Sequence, residues 1–392
     1  MQVELKNTTK KLCVIGDPVL HSKSPLIQNT MIRALGLDYI YLCQPVKAGR
    51  AAAWLDAARE AGYAGFNATM PHKLDLAPHM DELDQDAALY QSVNTVCIRN
   101  GKLYGYNTDG RGFIRALADA GVDPAGRRVL LLGSGGAAKA VALKLVQQGA
   151  ASVTVCNRTA AKAEELCQYA PAVMKAAGFD QATLRREAAR AELLVNCTSL
   201  GMAGTGGQFE DLSFLKELPP AAAVCDLIYH PAETDLLCRA REAGHPALNG
   251  LGMLIYQAVY ALEHFADVAL DAGAMRTLVE QAQRSCKRNG KRPDGLGSAR
   301  AFLVAFVLLA GGDAAADVPL GLVFIQDAFD LVVQRLVKGG QTLGKVLVYG
   351  GLADAELVGR RAHRRLVLDY VKGQLAGPLL DVPFHADNTP RI

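Results

Sequence analysis

Short apolar runs bounded by turn residues recur along the first 285 positions, and between them lie stretches with helical spacing. "LCVIG" (12–16), "YIYLCQ" (39–44) and "GFNAT" (65–69) predict strands. Positions 26–36 and the Ala-rich 47–61 predict helices, and Pro71 predicts the start of another, because proline suits the first helical turn. "TVCIRNGKLYGY" (95–106) predicts a hairpin turning at Asn100-Gly101. Alternating strands and helices over 12–107 predict an α/β unit with a mostly parallel sheet.

A second unit begins near 110. "RRVLLLGSGGAAKAVALKLVQQGA" (127–150) predicts a buried strand, a glycine turn and a helix, and "SVTVCNRT" (152–159) the next strand. "AELLVNCTSLGM" (191–202) and "AAVCDLIYH" (222–230) read as strand-and-loop pairs. A long helix with a polar entrance follows at 249–265, and another at 273–286. The character then changes. "CKRNGKRPDGLGS" (286–298) is basic and turn-rich, as a linker is. Residues 299–392 are rich in Leu, Val, Ala and Gly, with amphipathic helices expected over 327–340 and 356–375. No repeat at a fixed period is seen.

Composition narrows the class. A chain of 392 residues suggests two or three domains, and with half of its residues hydrophobic it has ample material for cores. The formal net charge of +3 gives no electrostatic argument for nucleic acid. Nine scattered cysteines without a CxxC pair point to reduced thiols and to no metal site. The N-terminus lacks the apolar core of a secretion signal. The longest apolar stretch, 301–312, falls short of the about 20 residues a membrane helix needs. The expectation is a soluble, cytoplasmic protein whose partner is a small molecule, not nucleic acid or a membrane.

Candidate chemistry begins at the glycine turn. Gly133, Ser134, Gly135, Gly136 and Ala137 stand between a buried strand and a helix, where backbone N–H groups and the helix dipole can cradle a pyrophosphate. The bland alternative is a tight turn with no ligand. NAD-binding chains carry an acidic residue about 20 residues further on, for the ribose hydroxyls. Here Asn157, Arg158, Thr159 and Lys162 hold that place, with two cations and two hydrogen-bonding groups suited to a 2′-phosphate. This favours NADP over NAD. An ordinary helix start, capped by Thr159, would explain the threonine but not the missing acid.

Five polar features crowd the first unit: "HSKSP" (21–25), "NATMPHK" (67–73), "SVNT" (92–95) and "YNTDG" (106–110), with Gln257 on the late helix. Hydroxyls and amides of this kind suit a small polyhydroxylated ligand. Lys73 and Asp109 are the residues here able to move a proton, as a lysine beside a carboxylate can do for an alkoxide forming on a carbonyl carbon. Taken singly, each has a bland reading, as a solvated helix-start lysine and a turn aspartate. Ser22 and Ser24 could cap the helix that Pro25 opens, but a cap needs only one hydroxyl. His21 and His72 share no metal-ligand spacing and read as loop residues.

Together these motifs resemble the shikimate dehydrogenase (shikimate/quinate dehydrogenase) family. Its pattern G-x-P-x-x-H-S-x-S-P is complete at 16–25, N-x-T-x-P-x-K at 67–73, V-N-T at 93–95, N-T-D-G at 107–110 and G-x-G-G-A at 133–137. "NRT" (157–159), "NCTSLGM" (196–202), "CDLIYHP" (225–231) and "NGLGMLIYQA" (249–258) follow in order. The likeness covers about residues 10–285.

The resemblance implies two α/β domains flanking a cleft: a substrate-binding catalytic domain over 1–109, with 249–286 packing back on it, and a Rossmann-type NADP domain over 110–248. It implies reversible, NADP-dependent reduction of 3-dehydroshikimate to shikimate, on the way to chorismate and aromatic amino acids. Ser22 and Ser24 would bind the carboxylate, and Asn67, Thr69, Asn94 and Gln257 the hydroxyls and ring. Lys73 and Asp109 would be the catalytic pair. Tyr229, Gly250 and Met253 would line the nicotinamide side. The chain departs from the family's usual residues at Asn249, where Asp is common, and at Lys162, where Arg is common. Lysine lacks arginine's planar fork, so NAD as second cofactor and quinate as second substrate stay open. A sensor without catalysis is the alternative of a different class, although a sensor would need neither Lys73 nor Asp109. The segment 287–298 is expected to be a linker. Residues 299–392 lie outside the resemblance: an accessory domain, a partner-binding extension and a stretch never selected as protein are the three readings. The assembly left open is a homodimer.

Overall fold

The computed structural model describes residues 5–204 and 207–288 and the segments 303–308 and 345–350. The chain forms two compact units, Met1–Asp294 and Gly295–Ile392.

In the first unit, strands β1 (Lys10–Gly16), β2 (Tyr39–Pro45), β3 (Tyr63–Ala68), β4 (Glu82–Leu83), β5 (Thr95–Arg99) and β6 (Lys102–Tyr106) make one sheet in the order β2-β1-β3-β5-β6-β4. Helices α1 (Ser24–Ala34), α2 (Ala51–Glu60), α3 (Lys73–Leu76) and α4 (Gln85–Tyr90) lie between them. Alternation along β1 makes two cores. Leu12 and Val14 enter the cluster that holds Ile27 and Met31 of α1. Cys13 and Ile15 enter the opposite one, with Leu55 and Ala58 of α2. Successive side chains of a strand point to opposite faces, so a strand apolar at every position is one covered on both sides.

Three of the sheet's five pairings, β1–β2, β1–β3 and β4–β6, are parallel, as expected, and β5 runs antiparallel to both β3 and β6. A two-residue turn can join only antiparallel strands. Asn100 and Gly101 both take positive φ (52° and 78°), as the hairpin turn requires. Pro71 does not open a helix. It follows a cis Met70–Pro71 bond, and α3 begins at Lys73 with His72 at its cap. That helix ends after four residues in a 3₁₀ turn, Ala77–His79, where Pro78 has no N–H to give.

Helix α5 (Asp109–Asp119) leads to a second, wholly parallel sheet. Its elements are β7 (Arg128–Leu132), α6 (Gly136–Gln147), β8 (Ser152–Cys156), α7 (Ala160–Cys167), β9 (Met174–Ala177), α8 (Gln181–Ala188), β10 (Leu193–Asn196), β11 (Ala223–Asp226), α9 (Asp235–Glu242) and β12 (Ala247–Leu248). The order β12-β11-β10-β7-β8-β9 is the doubly wound Rossmann arrangement, which reverses direction between β7 and β10. Again alternate residues serve two cores: Val129 and Leu131 one, Leu130 and Leu132 the other.

Helix α10 (Leu251–Ala266) then returns to the first sheet. Ile255, Val259, Leu262 and Phe265 join the core of Leu12 and Val14, and Gln28 of α1 donates to the Ala258 carbonyl at 2.9 Å. It also lies close on α5, where a Cβ at Gly112 would stand 2.8 Å from the Gln257 nitrogen. Helix α11 (Ala272–Arg288) packs on α1 and α10. The first two positions of the expected linker are thus helical, and 289–298 lies outside the described residues.

In the second unit, β13 (Leu303–Leu308) pairs antiparallel with β14 (Lys345–Gly350), Leu303 opposite Gly350 and Leu308 opposite Lys345. The helices expected over 327–340 and 356–375 lie outside the described residues.

Candidate active site

The loops after β1 and β3 meet because Gly16 has no side chain: a Cβ there would lie 2.5 Å from the Thr69 methyl. The Thr69 N–H donates to the Ile15 carbonyl at 2.9 Å and that of Asp17 to the Met70 carbonyl at 3.1 Å. "HSKSP" and "NATMPHK" are thereby side by side. Lys23, not a serine, takes the cap position of α1, and no side chain caps it. The Ser22 hydroxyl instead accepts from the Ser24 N–H at 3.2 Å. Ser24 is buried and Ser22 half-buried.

Lys73 and Asp109 meet. Nζ stands 2.5 Å from Oδ2, with the lysine side chain 18% and the aspartate 6% exposed. Asp109 opens α5, where the helix N-terminus favours a negative charge. Its second oxygen accepts from Asn94 Nδ2 at 2.8 Å. Asn94 also donates to the Thr108 hydroxyl at 3.0 Å, and that hydroxyl donates to the Gln257 carbonyl at 3.0 Å. Buried Asn67 donates to the Asn94 carbonyl at 3.0 Å and to the Thr95 hydroxyl at 2.9 Å. Gln257 is half-buried, and its amide donates to the Leu254 carbonyl at 2.8 Å. Four residues far apart in sequence, Asn67, Lys73, Asn94 and Asp109, thus share one hydrogen-bonded cluster. His72 is fully buried, with Nε2 2.7 Å from the Val46 carbonyl, whereas His21 is exposed.

The glycine turn follows β7, at the switch point of the second sheet. Gly133 has φ +99°, and a Cβ there would lie 3.1 Å from the Thr198 methyl, so this turn touches the loop after β10. Above Gly135 and Gly136 a Cβ would meet nothing within 4 Å. That open space beside the N-terminus of α6 fits the pyrophosphate of a dinucleotide. Ser134 and Ala137 are half-buried in the same turn. Arg158, Thr159 and Lys162 are exposed beyond β8, and Asn157 Nδ2 donates to the Thr159 carbonyl at 2.9 Å. Thr159 sits at the cap of α7 without a side-chain cap bond. The residues suit a 2′-phosphate and show no acid to oppose it.

Gly250 has a packing duty: a Cβ would lie 1.9 Å from the Leu227 carbonyl oxygen. Met253 is buried in the core of the second sheet. Tyr229 faces the other lobe, with Lys23 Nζ 5.2 Å from its ring centre. Burial pushes the Tyr229 phenol above its ordinary range.

Several site residues gave little sequence signal. Tyr41 and Thr95 lie within apolar strand runs. Asn196, Asp226 and Thr234 hold the loops after β10 and β11: Asn196 Nδ2 and Thr234 Oγ1 donate to Asp226 at 3.0 and 2.7 Å. Burial raises the Asp226 carboxyl against those bonds. An acid ending the apolar run "AVCD" was the one available clue. A surface cavity of about 500 Å³ between α5, α10 and α11 is unrelated: its Arg115 and Arg276 are paired with Asp119 at 3.0 and 2.8 Å. Among the described residues no group of three His, Cys, Asp or Glu is placed to hold a metal, and no helix is long and apolar enough to cross a membrane.

Comparison with known proteins bears on this architecture directly. The profile of the shikimate dehydrogenase substrate binding domain matches residues 14–96, and that of shikimate / quinate 5-dehydrogenase residues 116–202. The shikimate dehydrogenase (NADP(+)) of Alkaliphilus metalliredigens is 40% identical over 271 residues, which are 67% of this chain and 93% of that one. The chain belongs to the shikimate dehydrogenase family. Among solved structures, shikimate 5-dehydrogenase of Listeria monocytogenes, in complex with shikimate and NAD, aligns with a TM-score of 0.65 at 31% identity, covering 71% of this chain and 99% of that one. The Thermus thermophilus enzyme, in complex with NADP(H) and shikimate, aligns at 0.62 and 31%, covering 70% and 99%. The family's fold of two α/β lobes is therefore this chain's fold, and its motifs fall on the loops described above.

Proposed function

We propose that this protein catalyses the reversible, NADP-dependent reduction of 3-dehydroshikimate to shikimate, in the pathway to chorismate and aromatic amino acids. The observation that carries the reading is the Lys73–Asp109 contact of 2.5 Å, nearly buried, in the lobe that faces the glycine turn. Family membership at 40% identity to an NADP-dependent relative supports it.

The bound nicotinamide supplies the hydride in one direction and takes it in the other. The chain's own part is binding, orientation and proton transfer. As the substrate carbonyl becomes an alkoxide, Lys73 Nζ gives it a proton, and in oxidation the amine takes one from the hydroxyl. Asp109 Oδ2 holds Lys73 by a charge-assisted bond, and Asn94 holds Oδ1. Ser22 and Ser24 take the carboxylate. Thr69 and Gln257, with Asn67 and Asn94 beneath, take ring and hydroxyls. Gly133, Ser134, Gly135, Gly136 and Ala137 take the pyrophosphate, and Arg158 with Asn157, Thr159 and Lys162 the 2′-phosphate. Tyr229 and Met253 flank the nicotinamide side, and Gly250 lets α10 approach β11. The same assignment makes 1–109 with 249–286 the substrate domain and 110–248 the NADP domain. The cytoplasm suits Cys13, Cys97, Cys156, Cys167 and Cys225, which are buried free thiols.

The test is absorbance at the nicotinamide band, with shikimate or quinate crossed against NADP or NAD. The expected result is highest kcat/KM for shikimate with NADP. Turnover with none of the four pairs, or a preference for quinate with NAD, would refute the reading.

A further inference from the structure

We infer that Thr95 and Tyr41 are positioning residues, which hold the Lys73–Asp109 pair through a one-way chain of hydrogen bonds. This rests on the catalytic reading of that pair. The chain runs Tyr41 OH to Asn67 Oδ1 (2.7 Å), Asn67 Nδ2 to Thr95 Oγ1 (2.9 Å), Thr95 Oγ1 to Asn94 Oδ1 (2.8 Å), and Asn94 Nδ2 to Asp109 Oδ1 (2.8 Å). Tyr41 and Thr95 are buried, at 1% and 0% exposure.

Fixed partners set the direction of every link. An ionised carboxylate only accepts, so Asn94 turns its NH₂ to Asp109. Its oxygen then faces the Thr108 backbone N–H at 3.0 Å, a donor that cannot reverse. The single proton of Thr95 must go to that same oxygen, which leaves Oγ1 as an acceptor for Asn67. The other N–H of Asn67 meets the Asn94 carbonyl at 3.0 Å, and its oxygen receives Tyr41. All four amide N–H bonds of the two asparagines are thus spent on protein acceptors.

Loss of the Thr95 hydroxyl removes one donor from Asn94 Oδ1 and the acceptor of Asn67 Nδ2 in a buried site. Asn94 keeps its orientation through the Thr108 N–H but is held less firmly, which loosens the carboxylate that holds Lys73. Methyl-for-hydroxyl exchange at Thr95 keeps the volume, so what changes is the bond.

The experiment measures kcat and both KM values for the full-length protein with shikimate and NADP, for Thr95→Val, Thr95→Ser and Tyr41→Phe, beside Lys73→Ala. A lost buried bond corresponds to about a tenfold change, so Thr95→Val should lower kcat about tenfold with the KM for NADP unchanged. Thr95→Ser should recover most of it, and Tyr41→Phe, at the far end of the chain, should lose less than Thr95→Val. Wild-type kcat in Thr95→Val, or equal loss in Thr95→Ser, overturns the inference. If Thr95→Val does not fold, an unchanged kcat in Tyr41→Phe overturns it instead. Full activity in Lys73→Ala would remove the catalytic reading beneath. Collapse in Lys73→Ala with Thr95→Val unaffected would remove this inference alone.

Discussion

Lys23 Nζ lies 5.2 Å from the ring centre of Tyr229. The lysine stands between the two serines after β1, and the tyrosine in the loop after β11, so the contact joins the two lobes across the cleft. A second link joins them elsewhere: Lys144 of α6 pairs with Asp86 of α4 at 2.8 Å. A cation over an aromatic face at a part-exposed site is worth about 0.5–1 kcal/mol. Lys23→Met and Tyr229→Leu should therefore each raise the substrate KM by roughly two- to fivefold. The double variant should be no worse than either, and Tyr229→Phe should behave as wild type. Additive losses in a double-mutant cycle would show that the two residues act separately.

Lys73→Ala removes the proposed proton donor. Its kcat should fall by roughly 10²-fold or more, with only a modest change in KM, as loss of a general acid does. Steady-state rates at saturating shikimate decide this, and an unchanged kcat would contradict the assignment.

Arg158→Ala separates the two cofactors. A charge-assisted bond to phosphate is worth about 1.5–3 kcal/mol, so affinity for NADP should drop roughly 10- to 100-fold while that for NAD hardly moves. Titration calorimetry with each dinucleotide gives the comparison. Equal losses would mean that Arg158 does not read the 2′-phosphate.

Gly250→Ala concerns packing. The added Cβ would sit 1.9 Å from a backbone carbonyl oxygen, which cannot rotate away. Overpacking of a tight interior costs about 1–3 kcal/mol, so the urea midpoint should fall accordingly. Wild-type stability would show that the start of α10 can shift freely.

His264 gives a pH dependence. It stacks on Tyr106 with ring centres 3.8 Å apart, and burial, aided by Arg111 and Arg99, pushes its pKa from 6.5 down to about 4. The neighbouring carboxylate Glu263 pairs with Arg111 at 3.6 Å. Between those two values the unfolded chain binds a proton that the folded chain refuses. Stability from this residue is therefore full above pH 6.5, falls as pH drops toward about 4, and levels off below. His264→Phe keeps a stacking ring and removes the titration. Its stability should decline less than that of wild type between those pH values, as denaturant midpoints at a series of pH would show. Parallel curves would refute the assignment.

Much of this protein is legible in its sequence. Apolar runs such as "LCVI" (12–15) and "VLLL" (129–132) are apolar at every position because helices cover both sheet faces, and that period is visible in the chain alone. The glycine turn, Arg158 without an acidic companion, and the pair Lys73 and Asp109 were readable because each depends on residue type in local context. Short helices such as α8 and α9, and strands of two residues such as β4 and β12, were not, since a few residues carry too little periodicity. The mostly parallel sheet of the first lobe was legible from the alternation, but that β5 lies antiparallel to β3 was not, because partner direction is set by which strand lies alongside.

By itself, the sequence determined which groups could bind and react, and the alternation that makes two lobes. Tertiary structure alone decided which of those groups touch. Gly16 lets Thr69 approach, α10 brings Gln257 under Thr108, and Tyr41, an ordinary aromatic in an apolar strand, ends a chain of bonds that leads to Asp109. Hydrogen bonds are fixed by distances of about 3 Å between residues far apart in sequence, and such distances exist only once the sheets have packed.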